Sequence, residues 1–441
     1  MNEAVPKGAP SHRRVLRIAL PIVLSNATVP ILGAVDTGVV GQMGEAAPIA
    51  AVGVGAIILT SVYWIFGFLR MGTTGLVAQA LGKDEDEEVA ALLTRALLIA
   101  GAAGAALILG QAALFAGAFA VSPATPEVEG MARDYMAIRI WSAPAAIAVY
   151  GLTGWLIAQE RTDAVLFIQI GMNGMNIVLD LWFVLGLDWG VTGVAWATFL
   201  AEWSGAALGV WFCRDAFRNP AWRDRARVAD PARLKRMVAV NGDILIRTLL
   251  LQATFTSFLL YGGAFGDVTL AANQVLLQFL YITAFAMDGF AFAVEALVGR
   301  YFGAGDRPLL RRSVTICSQW ALATVTVLAL AFALGGPALI DLMATDPETR
   351  QAARTFLPWM IAAPFLGVAA WMLDGVFIGA TRTADMRNMM AVSAATYLVA
   401  ALLLVPPFGN HGLWAALMIS FVARGVTLGL RYPALERAAL A

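Results

Sequence analysis

The sequence predicts an all-α membrane protein, with twelve transmembrane helices arranged in two pseudo-symmetric six-helix lobes. Three observations lead there. Of 441 residues, 60% are hydrophobic and 14% charged, with a mean hydropathy of +0.74, whereas soluble domains carry about 25% charged residues. So much apolar surface cannot be hidden inside a water-soluble particle, and lipid must solvate part of it. Apolar runs of span length, roughly 20 residues, recur along the chain. Short motifs also return after about 220 residues, the mark of an internal repeat.

The first six spans are predicted near 15–40, 48–70, 92–115, 134–157, 164–186 and 191–213. Six more follow near 237–262, 268–298, 314–335, 354–378, 386–407 and 412–431. Between the sets lies the longest polar segment, RDAFRNPAWRDRARVADPARLKR at 214–236. The expected organisation is therefore an N-terminal lobe (1–213), a basic linker (214–236) and a C-terminal lobe (237–441). The first apolar run leads directly into further spans, so it reads as a helix that stays in the membrane rather than a cleaved signal.

Lys and Arg concentrate on the cytoplasmic side of membrane proteins. The linker carries Arg214, Arg218, Arg223, Arg225, Arg227, Arg233, Lys235 and Arg236, and the N-terminus Lys7, Arg13, Arg14 and Arg17. Arg307, Arg311 and Arg312 follow the eighth span, whereas the opposite connections at 41–47, 187–190 and 263–267 have neither Lys nor Arg. Both termini are expected in the cytoplasm. Arg133, Arg139, Arg350 and Arg354 are the exceptions.

LVAQALG at 76–82 and LVGRYFG at 297–303 each end the second span of their half. Arg161-Thr162 matches Arg382-Thr383, Pro144 matches Pro364, and Gly193 matches Gly412, all at nearly one separation. Six spans is an even number, so the two copies share one orientation. Such parallel repeats are related by an axis along the membrane normal.

Charges inside spans cost roughly 2.5–3.5 kcal/mol each at a helix centre, and so mark function or pairing. They are Asp36, Asp180, Glu202, Asp243, Arg247, Asp288, Glu295 and Asp374. In the fifth span Asn173, Asn176 and Asp180 fall at i, i+3 and i+7 and line one face. In the sixth, Thr198 and Glu202 are one turn apart. Asp36, Asn176, Asp180 and Thr198 could form a small all-oxygen site suited to H⁺ or Na⁺ rather than a transition metal. Alternatively, Asn176 and Asp180 merely bond each other or the backbone. Asp243 and Arg247, at i and i+4, read as an internal ion pair. Asp288, Glu295 and Asp374 could make a second acidic cluster. Pro21 and Pro30 would kink the first helix, through packing or as a hinge. Arg70, Arg424 and Arg431 read as snorkelling anchors near helix ends.

Several functions are excluded. Formal net charge is zero and no basic aromatic surface occurs, so no nucleic acid is expected. No G-x-x-x-x-G-K-[ST] is present for a P-loop. His12 and His411, in the tail and a loop, are the only histidines, too few for a histidine hydrolase or zinc site. Cys213 and Cys317 suggest no disulfide framework. No catalytic residue, metal or cofactor is expected, and no intramembrane enzyme.

VDTGVVGQMG at 35–44, NIVLDLWFVLG at 176–186 and LDGVFIGATRTADMRN at 373–388 resemble the multidrug and toxic compound extrusion (MATE) family, in particular its DNA-damage-inducible F (DinF) branch. The resemblance covers essentially the whole chain. It implies a multi-pass antiporter of the bacterial inner membrane, acting as a monomer among membrane lipids. Such an antiporter exports small amphipathic, often cationic compounds against H⁺, or alternatively Na⁺. It also implies that Asp36, Asn176, Asp180 and Thr198 couple the cation and that Pro21 bends the first helix. The remaining intramembrane polar groups, Asn173, Glu202, Asp243, Arg247, Asp288, Glu295 and Asp374, are candidates for substrate contact or support. The sodium-driven branch resembles a second-lobe site with an acid in the seventh span, and Arg247 beside Asp243 departs from that pattern. A lipid or lipid-linked glycan flippase of the related superfamily is the alternative expectation.

Overall fold

The computed structural model describes residues 8–42, 46–121 and 124–439, without the side chains of residues 31, 33, 34, 36, 37 and 40. Among them the chain forms helices α1 (His12–Gly41), α2 (Ala46–Ile65), α3 (Phe68–Gly82), α4 (Asp86–Leu109), α5 (Gln111–Val121), α6 (Pro126–Arg139), α7 (Ala143–Ala158), α8 (Thr162–Asp180) and α9 (Gly190–Phe212). There follow the short α10 (Arg225–Val228), then α11 (Pro231–Gly263), α12 (Asp267–Gly303), α13 (Arg307–Met343), α14 (Pro347–Gly379), α15 (Thr383–Phe408) and α16 (Asn410–Ala438). The described residues contain no strand, as hydrocarbon requires of a chain that is not a closed barrel.

Ten helical segments among the described residues are long and apolar enough to cross a membrane, α2 with α3 and α6 with α7 counting as one each. Two more stand where the first and sixth spans are predicted. They are α1, of 30 residues, and α9, of 23 residues. Along its length α9 carries Glu202 and three tryptophans.

Contacts gather the chain into two compact units. One contains the described residues up to Val23, Ala78–Asp84 and the chain from Arg236 onward; the other contains Leu24–Val77 and Glu85–Lys235. Relative to a division at 213 and 237, the foot of α1 and the end of α3 pack with the second half of the chain. Small residues explain why. A Cβ on Gly299 would stand 2.6 Å from Ala78 Cβ, and one on Gly289 2.6 Å from the Ala19 carbonyl. Gly82 and Gly303 likewise lie directly against the backbone of Arg300 and Gln79. Close backbone approach through glycine is a common mode of helix packing in membranes. The same unit holds a core of Phe258, Phe279, Phe332 and Trp414. Beside it Asn273 and Asn410 exchange two amide hydrogen bonds, of 2.8 and 2.9 Å, and Trp414 Nε1 donates to Asn273 Oδ1. All three polar groups are buried and paired.

The other unit packs around Tyr63, Phe115, Tyr135, Met136 and Ile140. Its α4 crosses α7 closely, because Gly104 sits against Pro144 at 2.5 Å from where a Cβ would be. The linker is folded here, with short turns at Ala216–Arg218 and Pro220–Arg223 followed by α10.

Aspartates cap the long helices of the second half. The Asp346 carboxylate accepts from the Thr349 backbone N–H at 2.8 Å and its hydroxyl at 2.7 Å, and Asp230 accepts from the Arg233 N–H at 2.9 Å. The Thr349 hydroxyl holds Asp346 below the usual carboxylate range, and the Arg233 amide does the same for Asp230. With folded values depressed, their stabilisation is present at neutral pH and is lost as pH falls through those lowered values.

Gly299→Ala is expected to lower the melting temperature in detergent, since overpacking costs about 1–3 kcal/mol. A Cβ on Gly335 would meet nothing within 4 Å, and Gly335→Ala should leave the melting temperature unchanged or slightly raised. Equal melting temperatures for Gly299→Ala and wild type would contradict the close crossing.

Candidate functional site

The polar face read from the fifth span is present on α8. Asn173, Asn176 and Asp180 are 4%, 2% and 0% exposed, although apolar neighbours on the opposite face, such as Val178 and Met175, are exposed. An i, i+3, i+7 spacing produces this by helical periodicity alone. Each amide has a specific partner. Asn176 Nδ2 donates to Thr198 Oγ1 on α9 at 3.1 Å. Asn173 Nδ2 donates to Thr28 Oγ1 on α1 at 2.8 Å, and its Oδ1 accepts from Gln169 at 3.0 Å. The contact between Asn176 and Thr198 joins two residues picked out from sequence. Thr28 and Gln169 were missed, because an isolated Thr and Gln carry no signal of their own.

Immediately after Asp180 the helix widens into a π-helical turn, Leu181–Gly186. Such turns relax the regular backbone ladder and occur frequently at functional sites. Asp36 lies on α1, but its side chain falls outside the described residues. Pro21 and Pro30 both sit within the continuous helix α1.

Glu202 does not join this face as a bare acid. It forms an ion pair with Arg139 at 2.5 Å and accepts from the Ser142 hydroxyl. Arg139 also donates to Tyr135 Oη at 3.1 Å, and Tyr63 Oη donates to the Arg139 carbonyl. Arg139, read from sequence as a charge on the outer side, is 5% exposed. It lies within the fourth predicted span, so the criterion that picked out Asp180 would have found it.

In the second half the expected pairing is corrected. Arg247 pairs with Asp374 of α14, not with Asp243. Asp243 instead takes Arg387 of α15 at 2.5 Å and the Thr383 hydroxyl at 3.0 Å. Both partners lie across helices rather than one turn away, and in the Arg247–Asp374 pair both charges are buried together. Arg424 is a second correction. Read as a snorkelling anchor, it is 2% exposed, stands 3.8 Å from Asp374 and donates to Met390 Sδ. Asp374 therefore belongs to a cluster of two guanidiniums and one carboxylate. Asp288 and Glu295 both lie on α12, and Glu295 is buried.

His411, expected in a loop, lies in the first turn of α16, where its Nδ1 accepts from Trp359 Nε1 at 3.1 Å. His12 starts α1 and accepts from Trp320 in the same way. Cys213 and Cys317 are free and buried. Among the described residues no group of three or more His, Cys, Asp or Glu could hold a metal ion.

The MatE family profile matches the chain twice, over residues 21–182 and 244–405. The chain is 37% identical over 428 residues to DNA damage-inducible protein F of Escherichia coli, covering 95% of this chain and 91% of that one. It is 25% identical to a probable multidrug resistance protein NorM of Xanthomonas campestris, over 97% and 95% of the two chains. Among solved structures, the bent form of the Vibrio cholerae MATE transporter VcmN superposes with a TM-score of 0.88 at 19% identity, over 97% of both chains. A MOP superfamily transporter from Pyrococcus furiosus superposes with a TM-score of 0.87 at 16% identity, over the full length of both chains.

Breaking one partner of a buried ion pair costs about 3–5 kcal/mol, whereas replacing both by apolar residues costs far less. Arg139→Met alone and Glu202→Leu alone should each lower unfolding stability in detergent by such an amount. The double variant should recover most of the loss. Additive losses in that double-mutant cycle would show that the pair does not act as a unit.

Proposed function

The chain belongs to the MatE family of multidrug and toxic-compound transporters, a multi-pass membrane transporter and not an enzyme; from this premise we propose that it is a secondary antiporter exporting amphipathic, cationic compounds in exchange for H⁺. The observation that carries the reading is the buried carboxyl of Asp180. It follows two amides on one helix face, Asn176 reaches Thr198 from that face, and a π-helical turn begins at the next residue. This carboxyl stands where the regular helical ladder gives way to the π-helical turn. A local change that admits or expels a proton there can therefore be tied to a change of conformation. Na⁺, bound by the same oxygens, is the alternative ion.

Asp36 is the second coupling residue in this reading. From the contact between Thr28 and Asn173, Asp36 lies eight residues along α1 and Asp180 seven along α8. At 1.5 Å per residue that is a rise of about 12 and about 10 Å. The first and fifth spans run in the same direction, which supports a common depth for the two acids. Pro21, within α1, supplies the place where that helix could bend. Asp374 suits coupling less well, because Arg247 and Arg424 already neutralise it. Differential affinity of ion and drug for two conformations would then link their flows.

The proposed setting is a bacterial inner membrane, with both termini and the 214–236 linker in the cytoplasm. The six-plus-six organisation at 1–213 and 237–441, and action as a monomer, are part of the same proposal. Two buried guanidiniums against one carboxylate in the second half favour one alternative, movement of an anionic lipid-linked substrate.

Everted vesicles that take up a fluorescent cationic dye provide the test. Uptake should require an acid lumen, should be indifferent to a Na⁺ gradient, and should fall at least about tenfold in Asp180→Asn and in Asp36→Asn. Uptake driven only by Na⁺ would change the ion. Movement under neither gradient would sink the antiporter reading and bring the lipid substrate forward.

A further inference from the structure

The 214–236 segment, from the end of α9 into the first turns of α11, carries eight basic and three acidic residues, and its fold turns some of those charges inward and leaves others facing out. One set faces inward onto α4. Arg95, 2% exposed, pairs with Glu88 at 2.6 Å and donates to the carbonyls of Val228 at 3.0 Å and Arg227 at 2.7 Å. Arg233 reaches the second Glu88 oxygen, Arg227 pairs with Glu87, and Thr94 donates to the Trp222 carbonyl at 2.8 Å. The linker acids are also engaged. Asp224 and Asp230 accept from backbone N–H groups, and Asp215 takes Arg218 at 3.1 Å and Arg161 at 3.9 Å. The segment is thus a docked strap with its carboxylates in use.

The second set faces out. Arg214, Arg223 and Arg225 are exposed, and among the described residues none has a carboxylate within 4 Å. Arg214 stacks over Trp211, 4.5 Å from the ring centre, and Trp211 is 54% exposed in the last turn of α9. Phe217 and Trp222 meet edge to face at 5.5 Å and tie the two short turns together. An exposed indole at the end of a spanning helix marks the headgroup level of a bilayer. The Arg214 guanidinium beside that indole, and those of Arg223 and Arg225 on the same strap, lack an internal counter-charge and match a phosphodiester, which accepts two guanidinium N–H donors at once.

We propose that Arg214, Arg223 and Arg225, with Trp211, form a binding surface for the headgroups of anionic phospholipids on the strap between α9 and α11. The strap's own acids and Glu87 and Glu88 of α4 are engaged in holding it, so the outward guanidiniums point to the lipid phosphate. Phosphatidylglycerol is preferred over a zwitterionic lipid of the same chain length, and salt weakens the preference.

Native mass spectrometry of the full chain in detergent tests this, with phosphatidylglycerol and phosphatidylcholine offered together. Wild type should retain phosphatidylglycerol over phosphatidylcholine by about tenfold. The triple variant Arg214→Gln, Arg223→Gln, Arg225→Gln should lose that preference while keeping its melting temperature and its dye transport in phosphatidylcholine vesicles. The corresponding triple Lys variant should keep part of it. An unchanged preference in the Gln variant would overturn the proposal. So would displacement of the lipid by millimolar inorganic phosphate, which would indicate a free-anion site. If the Gln variant does not fold, wild type alone decides, because equal retention of the two lipids rules the surface out.

Discussion

A charge or amide inside hydrocarbon is costly unless it brings its partner with it, and this constraint governs the paired groups along the spans. Arg139 holds Glu202, Arg247 and Arg424 hold Asp374, Arg387 holds Asp243, and Asn273 and Asn410 satisfy each other. Each pairing pins two helices at one depth and one rotation. In a membrane, where apolar packing alone discriminates weakly between helix faces, such pairs set the register on which the rest of the packing is built.

The same constraint shows in the surroundings of the intramembrane acids. Glu202, Asp243 and Asp374 are each matched to guanidinium groups. Asp180 shares its helix face with the buried amides of Asn173 and Asn176. In the antiport proposed above, the coupling role falls to this face of α8, while the guanidinium-matched acids hold helices together.

Local periodicity was readable in the sequence and distant pairing was not. The α8 face follows from the spacing of Asn173, Asn176 and Asp180, and the contact with Thr198 from adjacent spans joined by a short connection. The repeat was legible from LVAQALG and LVGRYFG. The partners of Arg247 and Glu202 were hidden, since Asp374 and Arg139 lie 127 and 63 residues away. No spacing rule reaches across such distances, and the neighbour at i+4 was the default choice. Arg424 was misjudged because closeness to a helix end was taken for exposure. Nothing local foretold that the foot of α1 would pack with the second half of the chain, since that follows from Gly289 meeting Ala19, a contact between residues with no polar signature.

The crossing of α3 with α12 has one more consequence. The segments that meet there, around Ala78 to Gly82 and Gly299 to Gly303, are the corresponding copies of the internal repeat, and the twofold family match covers both. Corresponding surfaces packed on each other have the form of an isologous contact, as in a symmetric dimer. A chain of half this length could make the same contact with its own twin. In such a dimer a single glycine substitution would strike the interface twice. In the fused chain each side can vary alone, so that Ala78 stands where its counterpart is Gly299. Fusion thereby frees one half to accumulate differences, such as Asp180 on one side and the Arg247 cluster on the other, while the crossing that joins them is kept.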